Sequence, residues 1–121
     1  MSLYKVVEFH RKFKIPILKT PSINLARNLD LRFNWLQEEV DEYEKALNEQ
    51  DIVGISDALA DIQYIHHGNV LEHGLYKIYP LIFNEVHRSN MTKAYSPVKI
   101  RKDNPEFSPP NLEQFLQGVL I

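Results

Sequence analysis

Two groups of acidic residues, separated by a short break, constrain the fold of this chain more than any other feature of its sequence. They are Glu38, Glu39 and Glu42 in the first group, and Asp57 and Asp61 in the second. At 100° per residue, the first group spans an arc of roughly 100° on a helix and the second spans about 40°. Each group therefore predicts one acidic helix face. If the second helix folds back along the first, all five carboxylates meet at one place.

The apolar residues around the acids also follow helical spacing. One stripe on the first helix carries Leu29, Phe33, Leu36, Val40, Tyr43 and Leu47. A second line carries Asn28, Arg32, Trp35, Glu39, Glu42 and Ala46. Converging carboxylates in a partly buried place require a cation, and Mg²⁺ is the usual one where carboxylates meet phosphates.

The acids also have a plainer interpretation as a solvated helix face. Acid-rich faces are mostly exposed, and Lys45 could support this one through i,i+4 pairing. A second acidic pair on a helix otherwise rich in apolar residues is less typical of a simple surface. The pattern alone leaves both interpretations open.

The order of the motifs resembles a known family. EExxE at 38–42 is followed by DALAD at 57–61, YIHHGNVLEHGL at 64–75 and EVHRSNMTK at 85–93, with FHRKFKIPI near the start. Together these motifs, which cover most of the chain, resemble the all-α nucleoside triphosphate pyrophosphohydrolases. These are the MazG-like proteins, related to phosphoribosyl-ATP pyrophosphohydrolase and dimeric dUTPases. The family's second motif is usually ExxD, whereas here Ala58 stands three residues before Asp61 and the acid is Asp57.

The resemblance implies a Mg²⁺-dependent enzyme, with Mn²⁺ as an alternative, that cleaves (d)NTP to (d)NMP and pyrophosphate and clears unwanted nucleotides. The metal ligands that it implies are Glu39, Glu42 and Asp61, with Asp57 as the fourth. Glu38 is then either a ligand of a second metal or the general base. The resemblance also implies a homodimer or a dimer of dimers.

Substrate binding requires cations for the phosphates and a flat or amide surface for the base. Lys93 and Asn90, from SNMTK, are the first candidates for the phosphates, and Arg88, Arg101 and Lys102 are weaker ones. Trp35 and Asn69 are candidates for the base by helical phase. A plain surface or core role is the alternative for each of them.

The composition of the chain argues against several classes of function. The chain has 121 residues, a net charge of −2 and no cysteine. It predicts one domain over 1–121, with no general attraction to nucleic acid or membrane and no disulfide or zinc-thiolate chemistry. No GxxxxGK[ST] loop is present, which argues against a P-loop enzyme. With no apolar run that approaches a membrane span and no signal-peptide core, we expect a cytoplasmic protein.

The coarse pattern predicts an all-α fold, a four-to-five-helix up-and-down bundle of the MazG-like kind. The expected helices cover 3–14, about 23 or 25 to 47, 52–73, 75–91 and 112–120, with a loop or short hairpin at 94–111. Ser22 or Asn28 is the expected cap of the second helix, and Asp51 that of the third.

Two other functions stay open. A non-catalytic helical dimer could bind nucleotide or metal as a sensor, which the Ala58 departure from ExxD motivates. A partner-binding scaffold with solvated acids is the other alternative. No histidine stands at ExxH spacing from the acids, which argues against a carboxylate-bridged di-iron site.

Overall fold

The computed structural model describes residues 2–23, 29–97 and 100–118. Contacts divide the chain into two compact units, Met1–Leu75 and Tyr76–Ile121. The helices are α1 (Ser2–Lys12), α2 (Leu29–Asn48), α3 (Ile52–Glu72) and α4 (Tyr79–Asn90), and a 3₁₀ turn covers Glu113–Phe115. No described residue belongs to a β-strand, so the all-α class is confirmed. The single domain over 1–121 stays a prediction.

Helices α2 and α3 form an antiparallel pair. Asp51 begins α3 as its N-cap, as predicted, and its Oδ1 accepts a 3.1 Å hydrogen bond from the Gly54 amide. Gly54 lies so close to Ala46 that a β-carbon there would be 3.1 Å from the Ala46 Cβ. At the other end of the pair, Arg32 reaches Asn69. The end of α2 therefore meets the start of α3, and the start of α2 meets the end of α3.

The buried residues of α2 belong to the line of mixed residues and not to the apolar stripe. Arg32 and Ala46 are buried, whereas Phe33, Val40 and Leu47 of the stripe are 63%, 42% and 47% exposed. Small side chains at the contact allow the two helices to approach closely. These three apolar side chains consequently stay exposed in the single chain.

A buried ion pair joins the two helices. The Nη1 atom of Arg32 lies 2.8 Å from Oε2 of Glu72, and its Nε donates a 2.7 Å hydrogen bond to Oδ1 of Asn69. A β-carbon at Gly68 would overlap the Arg32 guanidinium, so this position needs glycine. The charged group thus lies directly against the backbone of α3, which fixes the register of the pair.

Helix α1 packs on α3. Phe9 meets Tyr64 edge to face, with 5.3 Å between ring centroids. Oγ of Ser2 lies 2.9 Å from Nε2 of His67, and His10 is buried with Nδ1 3.1 Å from the Pro16 carbonyl oxygen. The first two contacts hold α1 on α3, and the contact of His10 holds the segment after α1 close to α1.

The segment after α1 is held against the end of α3 through backbone contacts. The Leu18 amide donates to the Leu71 carbonyl at 3.0 Å, and the Ser22 amide donates to the His73 carbonyl at 2.9 Å. Gly74 follows with φ of +68°, and a β-carbon there would overlap the Thr20 carbonyl. The predicted end of this helix near Gly74 is therefore confirmed, with His73 as the C-cap.

Gly74→Ala is expected to lower the free energy of unfolding by at least about 1–2 kcal/mol, the cost of a left-handed conformation for a non-glycine residue. Displacement of the Thr20 backbone adds to that cost. Gly118→Ala is the matched control, because a β-carbon at Gly118 meets no atom within 4 Å. Urea unfolding of both variants tests the difference. Equal stability of the two variants would contradict this account of the turn.

Two helices differ from the sequence-based predictions, and the predicted start of the second helix near Leu25 lies outside the described residues, as does Asn28. Helix α2 is described from Leu29, and Ile23 is not helical, so Ser22 is not its N-cap. Helix α4 begins at Tyr79 and not at Leu75, because Pro80 fits only the first turn. The final helix is a wrong prediction over its described part, where only Glu113–Phe115 forms a 3₁₀ turn. A helix this short is marginal without a side-chain cap, and none is formed here.

In the second unit, an isolated antiparallel bridge joins Ala94 to Arg101, with N···O distances of 2.8 and 2.9 Å. It matches the expected short hairpin. None of the described helices is both long and apolar enough to cross a membrane.

Glu85 ties the segment near Asn111 to α4. Its carboxylate pairs with Arg88 and accepts a 2.7 Å hydrogen bond from the Asn111 amide. The Arg88 hydrogen bonds, followed by the Asn111 amide, hold the pKa of Glu85 down at about 2. This pKa lies below the value of about 4.3 for an unfolded glutamate, so the group stabilises the fold above that pH.

Thermal unfolding of wild type and Glu85→Gln should differ most between pH 5 and 7, where the carboxylate is charged in both states. The difference is expected to shrink as the pH falls from about 4.3 towards 2, because the unfolded carboxylate takes up a proton over this range while the folded one stays charged until about pH 2. A difference that stays constant over this range would show that the ion pair and the Asn111 contact are not the cause.

Candidate functional site

An acidic cleft of about 340 Å³ lies between α2 and α3. We call it the acid cleft and define it by its lining. The lining residues are Glu39, Glu42, Lys45, Ala46, Glu49, Asp51, Gly54, Asp57, Ala58 and Asp61. Four of the five acids singled out in the sequence are therefore brought together by the antiparallel pairing of the helices.

Glu39 and Asp61 face each other in the acid cleft and influence each other's charge. The pKa of Glu39 is raised first by burial, then by the charge of Asp61 and by a hydrogen bond with it. The charges of Glu42 and Asp57 raise it further. Four acids that meet in one cleft repel one another, so the cleft favours a bound positive charge.

The donor set fits a hard divalent cation. All the candidate ligands are carboxylate oxygens, which Mg²⁺, Mn²⁺ and Ca²⁺ prefer. Within residues 2–23, 29–97 and 100–118, no three or more His, Asp or Glu side chains already stand close enough together to hold a metal ion. The Glu39–Asp61 pair is formed, and the exposed side chains of Glu42 and Asp57 line the same cleft.

The departure from ExxD has a physical explanation in the packing of α3. Ala58, at the position where the family usually has glutamate, is 3% exposed and packs between the helices. Asp57 lies one residue earlier, is exposed and lines the acid cleft. The carboxylate of Asp57 therefore lies at the rim of the acid cleft. Ala58, at the position of the family's usual glutamate, packs closely between the helices.

Glu38 and Trp35 lie outside the lining of the acid cleft. Glu38 is exposed and is turned about 100° around the helix from Glu39. The expected convergence of five acids is thus corrected to four. Trp35 is 37% exposed, and the guanidinium of Arg32 lies 5.2 Å from its ring centroid. One face of the indole is consequently covered by the buried arginine.

The substrate-binding candidates of the second unit fall into two sets. Asn90 and Lys93 line a cavity of about 510 Å³ with Met91, Tyr95 and Ile100. Arg101 is bound by Asp103 at 2.6 Å, and Arg88 is bound by Glu85. Lys102 is exposed. The neighbouring Lys99 lies outside the described residues.

Three further residues line the acid cleft without having been predicted as part of the site: Lys45, Glu49 and Asp51. Lys45 forms no ion pair within the described part of the chain, so its ammonium is a cation at the edge of a carboxylate cleft. Its i,i+3 spacing from Glu42 was the signal that could have placed it there.

Comparison with known protein families shows which family this chain belongs to. A family model described as phosphoribosyl-ATP pyrophosphohydrolase matches residues 6–90, more than half of the chain. The chain belongs to this family. No curated protein matches the sequence. The phosphoribosyl-ATP pyrophosphohydrolase match includes every residue of the acid cleft and Asn90, whereas Lys93 and Arg101 follow it. The resemblance drawn from the motifs is confirmed, and the family supports a hydrolase of the pyrophosphohydrolase type.

Proposed function

We propose that this protein is a divalent-cation-dependent nucleoside triphosphate pyrophosphohydrolase that clears unwanted nucleotides from the pool. It converts a (d)NTP and water into a (d)NMP and pyrophosphate. The meeting of Glu39, Asp61 and two further acids in the acid cleft is the observation that carries the proposal. Mg²⁺ is the proposed cofactor, and Mn²⁺ is a substitute with the same oxygen preference.

Each acid of the cleft has a proposed task. Glu39 and Asp61 would bind the cation, because a positive charge between them offsets their mutual repulsion. Glu42 and Asp57 complete the ligand set from the rim. The bound cation supplies Lewis acidity to a phosphate oxygen and lowers the pKa of a water.

The reaction forms one P–O bond between a water oxygen and phosphorus and breaks the bridging bond between the α- and β-phosphates. The water proton passes to a carboxylate, and pyrophosphate leaves with the bridging oxygen. We propose Glu38 as that carboxylate, or as a ligand of a second cation. Its exposed position beside Glu39 leaves it accessible to a water outside the ligand set.

Basic and amide side chains are proposed to contact the phosphates of the substrate, and an aromatic side chain is proposed to contact its base. Lys45 is placed to neutralise phosphate charge at the acid cleft. Lys93 and Asn90, which share one cavity, are proposed as further phosphate contacts. Arg101 could serve only after it exchanges Asp103 for a phosphate, because that pair is formed in the free chain. Trp35, which is 37% exposed, stays a proposed contact for the base.

The exposed apolar stripe of α2 supports a homodimer, or a dimer of dimers. Val40 and Leu47 stand on the same side of the helix and are 42% and 47% exposed. Burial of such side chains against a second copy stabilises by roughly 25 cal/mol per Å² of apolar surface. We expect sedimentation velocity to show a species of at least two chains.

The direct test incubates the purified protein with a panel of dNTPs and NTPs, with and without Mg²⁺, and follows monophosphate and pyrophosphate. The proposal requires pyrophosphate and monophosphate in equal amounts, and no product after EDTA treatment. Release of orthophosphate, or metal-independent turnover, would assign the chain to another chemistry. No turnover of any nucleotide would remove the enzymatic proposal.

A second function, nucleotide binding without turnover, rests on one observation. The helix position that usually carries glutamate is the buried Ala58, so the ligand set is altered. A sensor of this kind would bind nucleotide and Mg²⁺ in calorimetry and yield no monophosphate. Product formation in the same samples excludes it.

A further inference from the structure

A second, smaller cavity of about 200 Å³ lies on the same pair of helices, beyond the acid cleft. We call it the amide cavity and define it by its lining residues, which are Arg32, Phe33, Leu36, Asn69, Glu72 and His73. It shares no lining residue with the acid cleft. It combines one aromatic ring and one aliphatic side chain with several polar groups.

The orientation of the Asn69 amide is determined by its neighbour. Nε of Arg32 donates to Oδ1 of Asn69 at 2.7 Å. Because a guanidinium can only donate, the oxygen faces the arginine and the NH₂ group lies on the other branch of the amide. That NH₂ group has no hydrogen-bond partner among the described residues. A fixed donor is therefore available on a residue that lines the amide cavity.

His73 adds an acceptor to the same cavity. Its Nδ1 lies 3.0 Å from the Ser22 carbonyl oxygen. A carbonyl only accepts, so Nδ1 carries a proton, and in the Nδ1–H tautomer the Nε2 atom has a lone pair. Phe33, which is 63% exposed, contributes a flat apolar surface. A donor, an acceptor and an aromatic ring together suit a planar heterocycle with adjacent polar atoms.

The distance from the acid cleft also suits a nucleotide. Arg32 precedes Glu39 by two turns of α2, which is about 10 Å along the helix axis. Asn69 follows Asp61 by eight residues of α3, which is about 12 Å. Because the helices are antiparallel, both displacements point the same way. An extended nucleotide spans such a distance between its base and its phosphates.

We propose that the amide cavity binds the base of the substrate, with the Asn69 NH₂ group donating to an acceptor on the base edge. This inference rests on the proposed function, since the acid cleft is taken to bind the phosphates. It makes Asn69 a specificity residue and Arg32 the residue that orients it. Trp35 then lies behind Arg32 as its stacking partner.

Asn69→Asp tests the proposal, because it keeps the oxygen that Arg32 needs and replaces the NH₂ donor with a negatively charged acceptor. For the preferred base, kcat/KM is expected to fall about 10- to 100-fold through KM, since an unpaired polar edge costs about 1–3 kcal/mol. The ranking of bases should flatten, and kcat should change by less than about twofold. Asn34→Asp is the matched control on exposed α2 surface and should leave all values unchanged.

A folded Asn69→Asp protein with wild-type KM values and wild-type base ranking would overturn the proposal and leave the enzymatic function intact. If Asn69→Asp does not fold, Phe33→Leu replaces it and is expected to raise KM for every base by the loss of stacking. If the wild type hydrolyses no nucleotide, the proposed function fails separately. Calorimetry with nucleoside monophosphates then tests the amide cavity on its own. Binding to the wild type that is lost in Asn69→Asp would support the amide cavity as the base site. Equal binding by both proteins, or no binding by the wild type, would overturn it.

Discussion

Asp61→Asn is expected to lower kcat for nucleotide hydrolysis by about 100-fold or more at saturating Mg²⁺, because a neutral amide stabilises the cation far less than a carboxylate. The substitution preserves the shape of the side chain. It also removes the charge that raises the pKa of Glu39, so that pKa should return towards its usual range. The metal-free variant should consequently be at least as stable as the wild type.

This combination separates a lost function from a damaged fold. Steady-state kinetics give kcat, and urea unfolding without metal gives the stability. Asp41→Asn is the matched control, because Asp41 is exposed on α2, accepts a 2.9 Å hydrogen bond from Gln37 and does not line the acid cleft. Equal losses of activity in the two variants would show that activity depends on the overall negative charge of the helices and not on the carboxylates of the acid cleft.

Arg32→Ala is expected to lower the free energy of unfolding by about 3–5 kcal/mol, as removal of one partner from a buried ion pair does. Glu72 is only 1% exposed and would retain a carboxylate whose charged partner is gone. The Oδ1 atom of Asn69 would lose its donor at the same time. Urea denaturation at neutral pH measures the change.

Arg101→Ala provides the comparison, because its ion pair with Asp103 is 60% and 64% exposed. Exposed pairs contribute about 0–1 kcal/mol, so this variant should unfold close to the wild type. Joint replacement of Arg32 by methionine and Glu72 by leucine should recover most of the stability, since no buried charge is then left. Similar losses in Arg32→Ala and Arg101→Ala would contradict the account of α2–α3 packing.

The features that the sequence predicted correctly are those with local causes. Asp51 caps α3 and Gly74 follows its end because capping and positive φ depend on neighbouring residues. The short break between α2 and α3 leaves an antiparallel pair as the compact arrangement. The motif order was also sufficient to indicate the family.

The missed features depend on partners distant in sequence. Two lines of residues run along α2 at the same spacing, and periodicity alone favours burial of the apolar one. Arg32 is buried because Glu72, at the far end of α3, neutralises its charge. The same rotation of α2 turns Glu39 into the acid cleft and leaves Glu38 at the surface. Helical spacing alone does not show which of Glu38 and Glu39 faces α3, because the rotation of α2 depends on the ion pair between Arg32 and Glu72.

The most direct test of the acid cleft is a crystal structure of the protein with Mn²⁺ and a non-hydrolysable nucleoside triphosphate, with anomalous data collected for manganese. We expect an anomalous peak at a ligand distance of about 2.2 Å from the carboxylate oxygens of both Glu39 and Asp61. The phosphates should lie beside that peak. A peak bound elsewhere, or a nucleotide bound with these two carboxylates uncoordinated, would contradict the account.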